Sequence, residues 1–158
     1  KLQFFDHEEN KNYVPYVIET SIGLDRMFLA VFSTALMDET LEDGSERTVL
    51  KIPAVLAPVK AAILPLLKKD GLPEIANDII DELKWSMKVQ YDEKDAIGRR
   101  YRRQDAIGTP LCITVDHDTL EDNAVTLRDR DTMQQVRVPI TELPMRVAER
   151  VGWSTLFN

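Results

Sequence analysis

The stretch Ile97-Gly-Arg-Arg-Tyr-Arg-Arg-Gln-Asp-Ala-Ile-Gly108-Thr-Pro-Leu-Cys-Ile-Thr-Val115 decides the fold of this chain. It begins as a polar, arginine-rich segment and ends as an unbroken apolar run, with glycine and proline between the two. Glycine just past the last helical residue, with proline soon after, is a typical helix stop signal. The pattern therefore predicts a helix over 98–107 and a strand over 111–115 that is buried on both faces.

The segments on either side continue this alternation of strands and helices. They predict a strand over 60–67, a helix from Pro73 to about residue 83, a strand over 85–91, a hairpin from 124–130 and 136–140, and a helix over 141–151. Strands that alternate with helices are typical of an α/β domain. We therefore expect residues 54–151 to form one such domain.

The first third of the chain has a different pattern. It predicts, in chain order, a strand over 1–6, a polar loop over 7–12, a strand over 13–21, an apolar helix over 24–37, an acidic loop over 38–46 and a short strand over 48–52. Pro53 and Pro58 bracket a boundary, so we expect two units, residues 1–53 and residues 54–158.

Residues 19–26, Glu-Thr-Ser-Ile-Gly-Leu-Asp-Arg, hold the most specific chemistry in the first unit. On a strand, Glu19 and Ser21 would share one face. Gly23 would permit a sharp turn into a helix, where free backbone N–H groups can meet an anion. Arg26 adds a planar, permanently charged group that suits phosphate. The segment predicts a site for an ammonium group and a polyphosphate; the alternative is a buried Glu–Arg pair in a core.

This segment resembles motif 3 of the class II aminoacyl-tRNA synthetases, in the form found in the glycyl-tRNA synthetase family. Residues 54–151 are similar to the anticodon-binding domain shared by several class II synthetases, most specifically over 56–60, 97–108 and 126–132. The two resemblances follow each other in the order used by the glycyl family. They imply a mixed five-stranded sheet flanked by helices, preceded by a β-hairpin and a helix from an antiparallel catalytic domain.

The resemblance also implies roles for the motif 3 residues. The glycine pocket would comprise Glu19, Thr20, Ser21, Ile22 and Gly23, and the ATP site would comprise Gly23, Leu24, Asp25 and the catalytic Arg26. The full-length enzyme would use ATP as a substrate with Mg²⁺, act on glycine and tRNA(Gly), form a homodimer and work in the cytoplasm. Motif 1 and motif 2 are not found here, so we expect a C-terminal fragment that needs no cofactor and does not activate glycine alone. Its hairpin and first helix should expose apolar faces.

The arginine-rich helix is the first candidate for tRNA binding. At ~100° per residue, Arg99, Arg102 and Arg103 cluster on one side while Arg100 points away. Outward arginines would hold tRNA phosphates near the anticodon stem, whereas Tyr101 and Ile107 would face the sheet. The alternative is a solvated helix whose four arginines pair with Asp92, Glu93, Asp95 and Asp105.

Two loops of mixed charge are the second candidate. Glycine anticodons end in two cytosines, and a cytosine offers an amine to a carboxylate and acceptor atoms to arginine. Segments 90–94 and 128–131 fit this task, and the candidate residues in them are Glu93, Lys94, Arg128 and Arg130. For the second loop, cross-strand ion pairs at a hairpin tip are the alternative.

Composition narrows the remaining possibilities. A net charge of −7 over 158 residues argues against indiscriminate nucleic-acid coating, and no apolar run reaches the length of a membrane span. No His or Cys spacing indicates a metal site, and Cys112 reads as a buried strand thiol. Rival hypotheses are a non-catalytic accessory protein that reuses the fold, and a phospho-receiver built on Asp116. The second is weak because no acidic pair follows the strand at 60–67.

Overall fold

The computed structural model describes residues 2–157. Its elements are, in chain order, β1 Phe4–Asp6, β2 Lys11–Tyr13, α1 Leu24–Ala35, β3 Leu36–Thr40, β4 Glu46–Leu50, β5 Ala61–Pro65, α2 Leu72–Leu83, β6 Val89–Tyr91, α3 Ile97–Ile107, β7 Leu111–Val115, α4 Thr119–Asp122, β8 Ala124–Asp129, β9 Gln135–Pro139 and α5 Leu143–Val151. Short 3₁₀ turns lie at Ala54–Leu56, Ile140–Glu142 and Trp153–Leu156.

The predicted mixed five-stranded sheet is confirmed, with strand order β6-β5-β7-β8-β9. Strands β5, β6 and β7 are parallel, and β8 and β9 extend the sheet as an antiparallel hairpin. Every residue of β5 and β7 is buried, as their apolar runs predict. Helices α2 and α5 pack on one face of the sheet, and α3 packs on the other.

The face covered by α3 settles three predictions about single residues. Tyr101 packs against the cluster of Ala62, Leu64 and Cys112, so its predicted direction is confirmed. Cys112 is buried as expected, and burial raises the pKa of its thiol to about 12, which keeps it protonated and unreactive. Ile107 does not face the sheet. It is 41% exposed because it lies at the end of α3, beside α1.

The predicted acidic loop over 38–46 is wrong, because its first residues form β3 and pair with β4. Its charged side chains find cross-strand partners: the Thr48 hydroxyl donates to Asp38 at 2.6 Å, and the Arg47 Nε donates to Glu39 at 2.8 Å. Such pairs stabilise strands that look like loops in composition. Helix α1 accordingly ends at Ala35 rather than at residue 37.

The predicted strand over 13–21 is also wrong. Strand β2 ends at Tyr13, and residues 14–23 form neither helix nor strand. Its partner β1 is only three residues long, and Pro15 has no N–H to donate. Among residues 2–157 no further strand pairs with this segment. The predicted strand over 1–6 begins at a residue that lies outside the described range, and β1 begins at Phe4.

The boundary near Pro53 stays a prediction, and buried contacts cross it. The Arg130 guanidinium donates to the carbonyl oxygens of Leu50 at 2.9 Å and Ile52 at 3.0 Å. Gly108 ends α3 with φ +82°, and a Cβ there would lie 3.1 Å from the Leu50 oxygen. Two features therefore favour glycine at this position, namely the positive φ and the close approach of β4.

Candidate nucleic-acid interface

The motif 3 segment lies on the surface, and residues 19–26 are all exposed. Helix α1 begins where the Met27 N–H donates to the Gly23 oxygen at 3.0 Å. Gly23 has φ −76°, which any residue adopts, so the backbone at this position does not require glycine. The side chain of Arg26 folds over Gly23, and a Cβ on Gly23 would lie 3.7 Å from it.

The residues predicted for glycine and ATP lie at the surface, at the start of α1 and just before it. Within residues 2–157, Glu19 and Arg26 form no ion pair, so the alternative of a buried Glu–Arg pair is not what the structure has. Apart from Leu24, which borders an apolar groove, none of these side chains lines a described cavity. The expected exposed apolar face of α1 is confirmed, with Leu24, Phe28 and Leu29 each more than 60% exposed.

Arg100 does not reach the surface, so its predicted contact with tRNA is wrong. It is 3% exposed, and its guanidinium donates to the carbonyl oxygens of Pro65 at 2.6 Å and Leu66 at 3.2 Å. The Arg100 Nε donates to the backbone carbonyl oxygen of Asp95 at 3.0 Å. The carbonyls at the end of a buried strand need partners, and Arg100 supplies them from the one side of α3 that faces the sheet.

Arg103 follows the ion-pair alternative. Its guanidinium contacts the carboxylates of Asp92 and Asp95, each at 2.8 Å. Burial acts to raise the pKa of Asp92, but hydrogen bonds to the Lys94 N–H and Arg103 outweigh it and the pKa is lowered. Arg103 therefore fastens α3 to the loop before it, and any contact with RNA would have to compete with these pairs.

Arg99 and Arg102 keep their charges available at the surface. Arg99 is exposed, and within residues 2–157 its side chain has no ion-pair partner. Arg102 is about two-fifths exposed in its side chain, and its closest carboxylate oxygen, on Asp105, lies 3.9 Å away. Of the four arginines in α3, these two are the ones that the structure leaves able to meet a phosphate.

Arg128 and Arg130 are buried, so their predicted contacts with tRNA are wrong. Arg128 donates to both carboxylate oxygens of Asp105, at 2.8 and 3.1 Å, and its guanidinium lies 4.7 Å from the centre of the Tyr101 ring. Arg130 donates to the carbonyl oxygens of Leu50 and Ile52 already described, to that of Gly108 at 2.9 Å, and to the Asp131 carboxylate at 2.8 Å. Within residues 2–157 neither arginine forms a cross-strand ion pair, which was the alternative. The carboxylate partner of Arg128 lies on α3, and that of Arg130 is the adjacent Asp131.

Arg150 of α5 forms ion pairs with the carboxylates of the same hairpin. Its guanidinium contacts Asp129 at 2.8 Å and Asp131 at 2.7 Å. Burial acts to raise the pKa of Asp131, but the charges of Arg130 and Arg150 outweigh it and the pKa is lowered. The charged residues of the 128–131 loop therefore pair with one another and with neighbouring elements, and these ion pairs give the loop a structural role.

Glu93 and Lys94 remain on the surface. The Tyr91 hydroxyl donates to Glu93 at 2.6 Å, and Lys68 lies 3.2 Å from the same carboxylate. Burial, and then the charge of Glu93, raise the pKa of Tyr91 to about 12, so its proton stays in this hydrogen bond. Lys94 is exposed. The contacts of these two residues with tRNA stay predictions.

Two grooves meet on the face that carries Arg99 and Arg102. The α3 groove has a volume of about 540 Å³ and is lined by Gly98, Arg99, Tyr101, Arg102, Met133 and Gln135, with Arg128 beneath. The hairpin groove has a volume of about 630 Å³ and is lined by Glu39, Leu41, Asp43, Arg47, Asp131 and Met133. Sequence reasoning missed Met133 and Gln135, since only the folded sheet brings β9 beside α3.

The α3 groove combines groups that suit single-stranded RNA. Arg99 and Arg102 can meet phosphates, and the amide of Gln135 can donate to and accept from a base edge. Gly98 adds no side chain, and no atom lies within 4 Å of where its Cβ would be, so the rim is open. The arrangement therefore offers binding groups for RNA.

Two kinds of feature are absent from residues 2–157. No helix in this range is both long enough and apolar enough to cross a bilayer. No group of three or more His, Cys, Asp or Glu side chains in the same range has the arrangement of a metal site.

Comparison with known proteins identifies close relatives of this chain. The glycine–tRNA ligase of Treponema denticola is 50% identical over 155 residues, which cover 95% of this chain and 34% of that protein. The glycine–tRNA ligase of Clostridium beijerinckii is 54% identical over 142 residues, which cover 90% of this chain and 30% of that protein. The chain thus spans about a third of the length of the curated relatives that it matches.

Solved structures show the same fold at lower identity. A prolyl-tRNA synthetase from Cryptosporidium parvum, complexed with halofuginone and AMPPNP, has a TM-score of 0.59 and 21% identity, and the match covers 72% of this chain and 30% of that chain. The RNA binding domain of threonyl-tRNA synthetase from Cryptosporidium parvum Iowa II has a TM-score of 0.57 and 23% identity, covering 63% and 25%. The family described as the anticodon binding domain matches residues 60–150. Because this match spans more than half of the chain and includes the whole five-stranded sheet, the chain belongs to the anticodon binding domain family.

Proposed function

We propose that this chain is part of a glycine–tRNA ligase and that its residues 54–158 bind the anticodon loop of tRNA(Gly). The observation that carries the proposal is the identity of about 50% to proteins of that name, which extends over nearly the whole chain. The exposed arginines of the α3 groove supply the chemistry that anticodon binding requires.

The α3 groove is suited to both parts of this task. Phosphate contacts from Arg99 and Arg102 would position the loop without reading its sequence. Gln135 could then discriminate among bases presented on their open edges, such as the cytosines of a glycine anticodon. Glu93 and Lys94 lie in the loop just before α3 and would extend the contact.

Residues 1–53 would contribute motif 3 to the catalytic half of the longer protein. Glu19 would neutralise the ammonium of glycine, and Arg26 would neutralise charge that develops on the phosphates of ATP. The neighbouring residues 20–25 would shape the two pockets. The longer protein would also supply the groups that hold Mg²⁺, form a homodimer and act in the cytoplasm.

Substituting both exposed arginines, Arg99→Ala with Arg102→Ala, is expected to weaken binding of an anticodon stem–loop RNA. Each lost phosphate contact should reduce the slope of log Kd against log salt by about 1. The slope is measured by fluorescence anisotropy with a labelled RNA whose anticodon ends in two cytosines, at several salt concentrations.

The matched control is Arg146→Ala on α5, an exposed arginine that pairs with Glu142 away from the α3 groove. It should leave the salt slope unchanged. An equal loss of slope in this control would mean that net charge alone drives binding, and it would contradict a specific site at Arg99 and Arg102.

Arg26→Ala in the full-length protein is expected to slow formation of glycyl-adenylate by about 10- to 100-fold. The reason is that a cationic group which neutralises the departing pyrophosphate stabilises the transition state more than the ground state. ATP–pyrophosphate exchange measures this step without tRNA. Binding of the stem–loop RNA should stay unchanged, since Arg26 does not line the α3 groove. Near-normal exchange would refute the role.

A further inference from the structure

The backbone of Met133 is unusual among the residues that the structure describes. Five residues other than glycine have positive φ between residues 2 and 157, and four of them are Asn or Asp, which tolerate this region. The fifth is Met133, with φ +59°. A long side chain is disfavoured in the left-handed region, so the fold is held with a strained residue where glycine would be more stable.

The hairpin tip holds Met133 in this conformation through its own hydrogen bonds. The Met133 N–H donates to the Asp129 carbonyl oxygen at 2.9 Å. The Asp129 carboxylate accepts from the N–H groups of Asp131 at 2.8 Å and Thr132 at 3.0 Å. Arg150 holds the same carboxylate from α5. These hydrogen bonds fix the conformation of the loop between β8 and β9, and with it the position of Met133.

Met133 is also the residue that the two grooves share. On one side it borders Arg99 and Arg102, which can hold phosphates, and next to it along the groove is Gln135. A base splayed out from an RNA strand needs an apolar surface beside groups of this kind. The thioether of methionine is polarizable and makes favourable contacts with aromatic rings.

We propose that the Met133 side chain is the surface on which an unpaired base of the bound RNA stacks, at the junction of the α3 groove and the hairpin groove. This inference rests on the proposed function, because it places one base of the anticodon loop. It accounts for the strained backbone: the side chain is kept for its contact with RNA, at a cost to the stability of the free protein.

The test separates binding from folding because the two effects have opposite signs. Met133→Gly should relieve the left-handed strain and raise the Tm of the 158-residue chain by about 1–4 °C. The same substitution removes the stacking surface, and it should weaken binding of an anticodon stem–loop RNA by about 3- to 10-fold. A 2-aminopurine placed in the loop of the RNA should show a smaller fluorescence change when it binds Met133→Gly than when it binds the unsubstituted chain.

Two further variants serve as controls. Met133→Leu keeps an apolar side chain of similar size, and it should bind within about twofold of the unsubstituted chain. Met145→Ala removes an exposed methionine on α5, away from the two grooves, and should change neither the Tm nor the Kd.

The outcomes distinguish this inference from the proposed function. If the unsubstituted chain does not bind the RNA, the proposed function fails and this inference fails with it. If it binds and Met133→Gly binds equally well, only this inference is overturned. A Tm that falls together with the affinity would show that Met133 packs within the protein, and that result would also overturn it.

Discussion

Replacing Asp105 with alanine is expected to lower the free energy of unfolding by about 3–5 kcal/mol. The Asp105 side chain is fully buried and contacts the buried guanidinium groups of Arg128 at 2.8 Å and Arg47 at 3.2 Å. Its removal would leave Arg128 in the interior without a carboxylate and would leave Arg47 with Glu39 alone. Uncompensated buried charge is among the most costly changes in a protein. Urea denaturation followed by circular dichroism measures the loss.

The matched control is Asp118→Ala, since Asp118 is an exposed aspartate whose side chain makes no contact with these arginines. It should change stability by no more than about 0.5 kcal/mol. Asp105→Asn keeps the shape of the side chain without its charge, so its cost should lie between the two. A loss of less than about 1 kcal/mol for Asp105→Ala would contradict the role of this carboxylate in the core.

A chain that starts at Ala54 is expected to remain unfolded, whereas a chain that starts at Leu36 should fold. The shorter chain lacks Arg47, which pairs with Asp105, and it lacks the carbonyls of Leu50 and Ile52 that Arg130 binds. Loss of these hydrogen bonds and of the packing of β4 against α3 can together exceed a typical folding free energy of about 5–15 kcal/mol. Circular dichroism and the dispersion of amide signals in NMR spectra distinguish the two results.

This pair of truncations also tests the boundary that the sequence places near Pro53. A folded chain from Ala54 with normal stability would support that boundary and would show that the β3–β4 hairpin adds little. A folded chain from Leu36 alone would place the hairpin, in energetic terms, with the five-stranded sheet. The longer truncation product is the matched control for the loss of residues 1–35, which both shortened chains lack.

The sheet domain could be predicted from the sequence because its signals are local and agree with each other. The apolar run at 111–115 matches β7 residue for residue, and Gly108 ends α3 as its conformational freedom predicts. Strand β3 escaped prediction for the opposite reason. The acidic composition of β3 is typical of a loop. The partners of its side chains, Arg47, Thr48 and Lys51, lie on β4 and just after it, and only the folded hairpin brings them together.

The site could be predicted only in part, because arginine has the same charge in a core as on a surface. Arg99 and Arg100 are neighbours in the sequence, yet one is exposed and the other serves buried carbonyls. Helical spacing did indicate that Arg100 points away from the other three. No sequence pattern shows that the partner of Arg128 is an aspartate on a distant helix, or that Met133 comes to lie between two grooves.

The junction of α1 and β3 has a mechanical consequence. The helix ends at Ala35 and the strand begins at Leu36, with no linker between them. The Lys51 N–H donates to the Ala35 oxygen at 2.7 Å, and Leu36 is already paired with Leu50. Because no loop residue lies between the helix and the strand, α1 cannot change its direction without distorting the hydrogen bonds between β3 and β4. The direction of α1 is therefore set by the β3–β4 hairpin, whose strand β4 packs against α3.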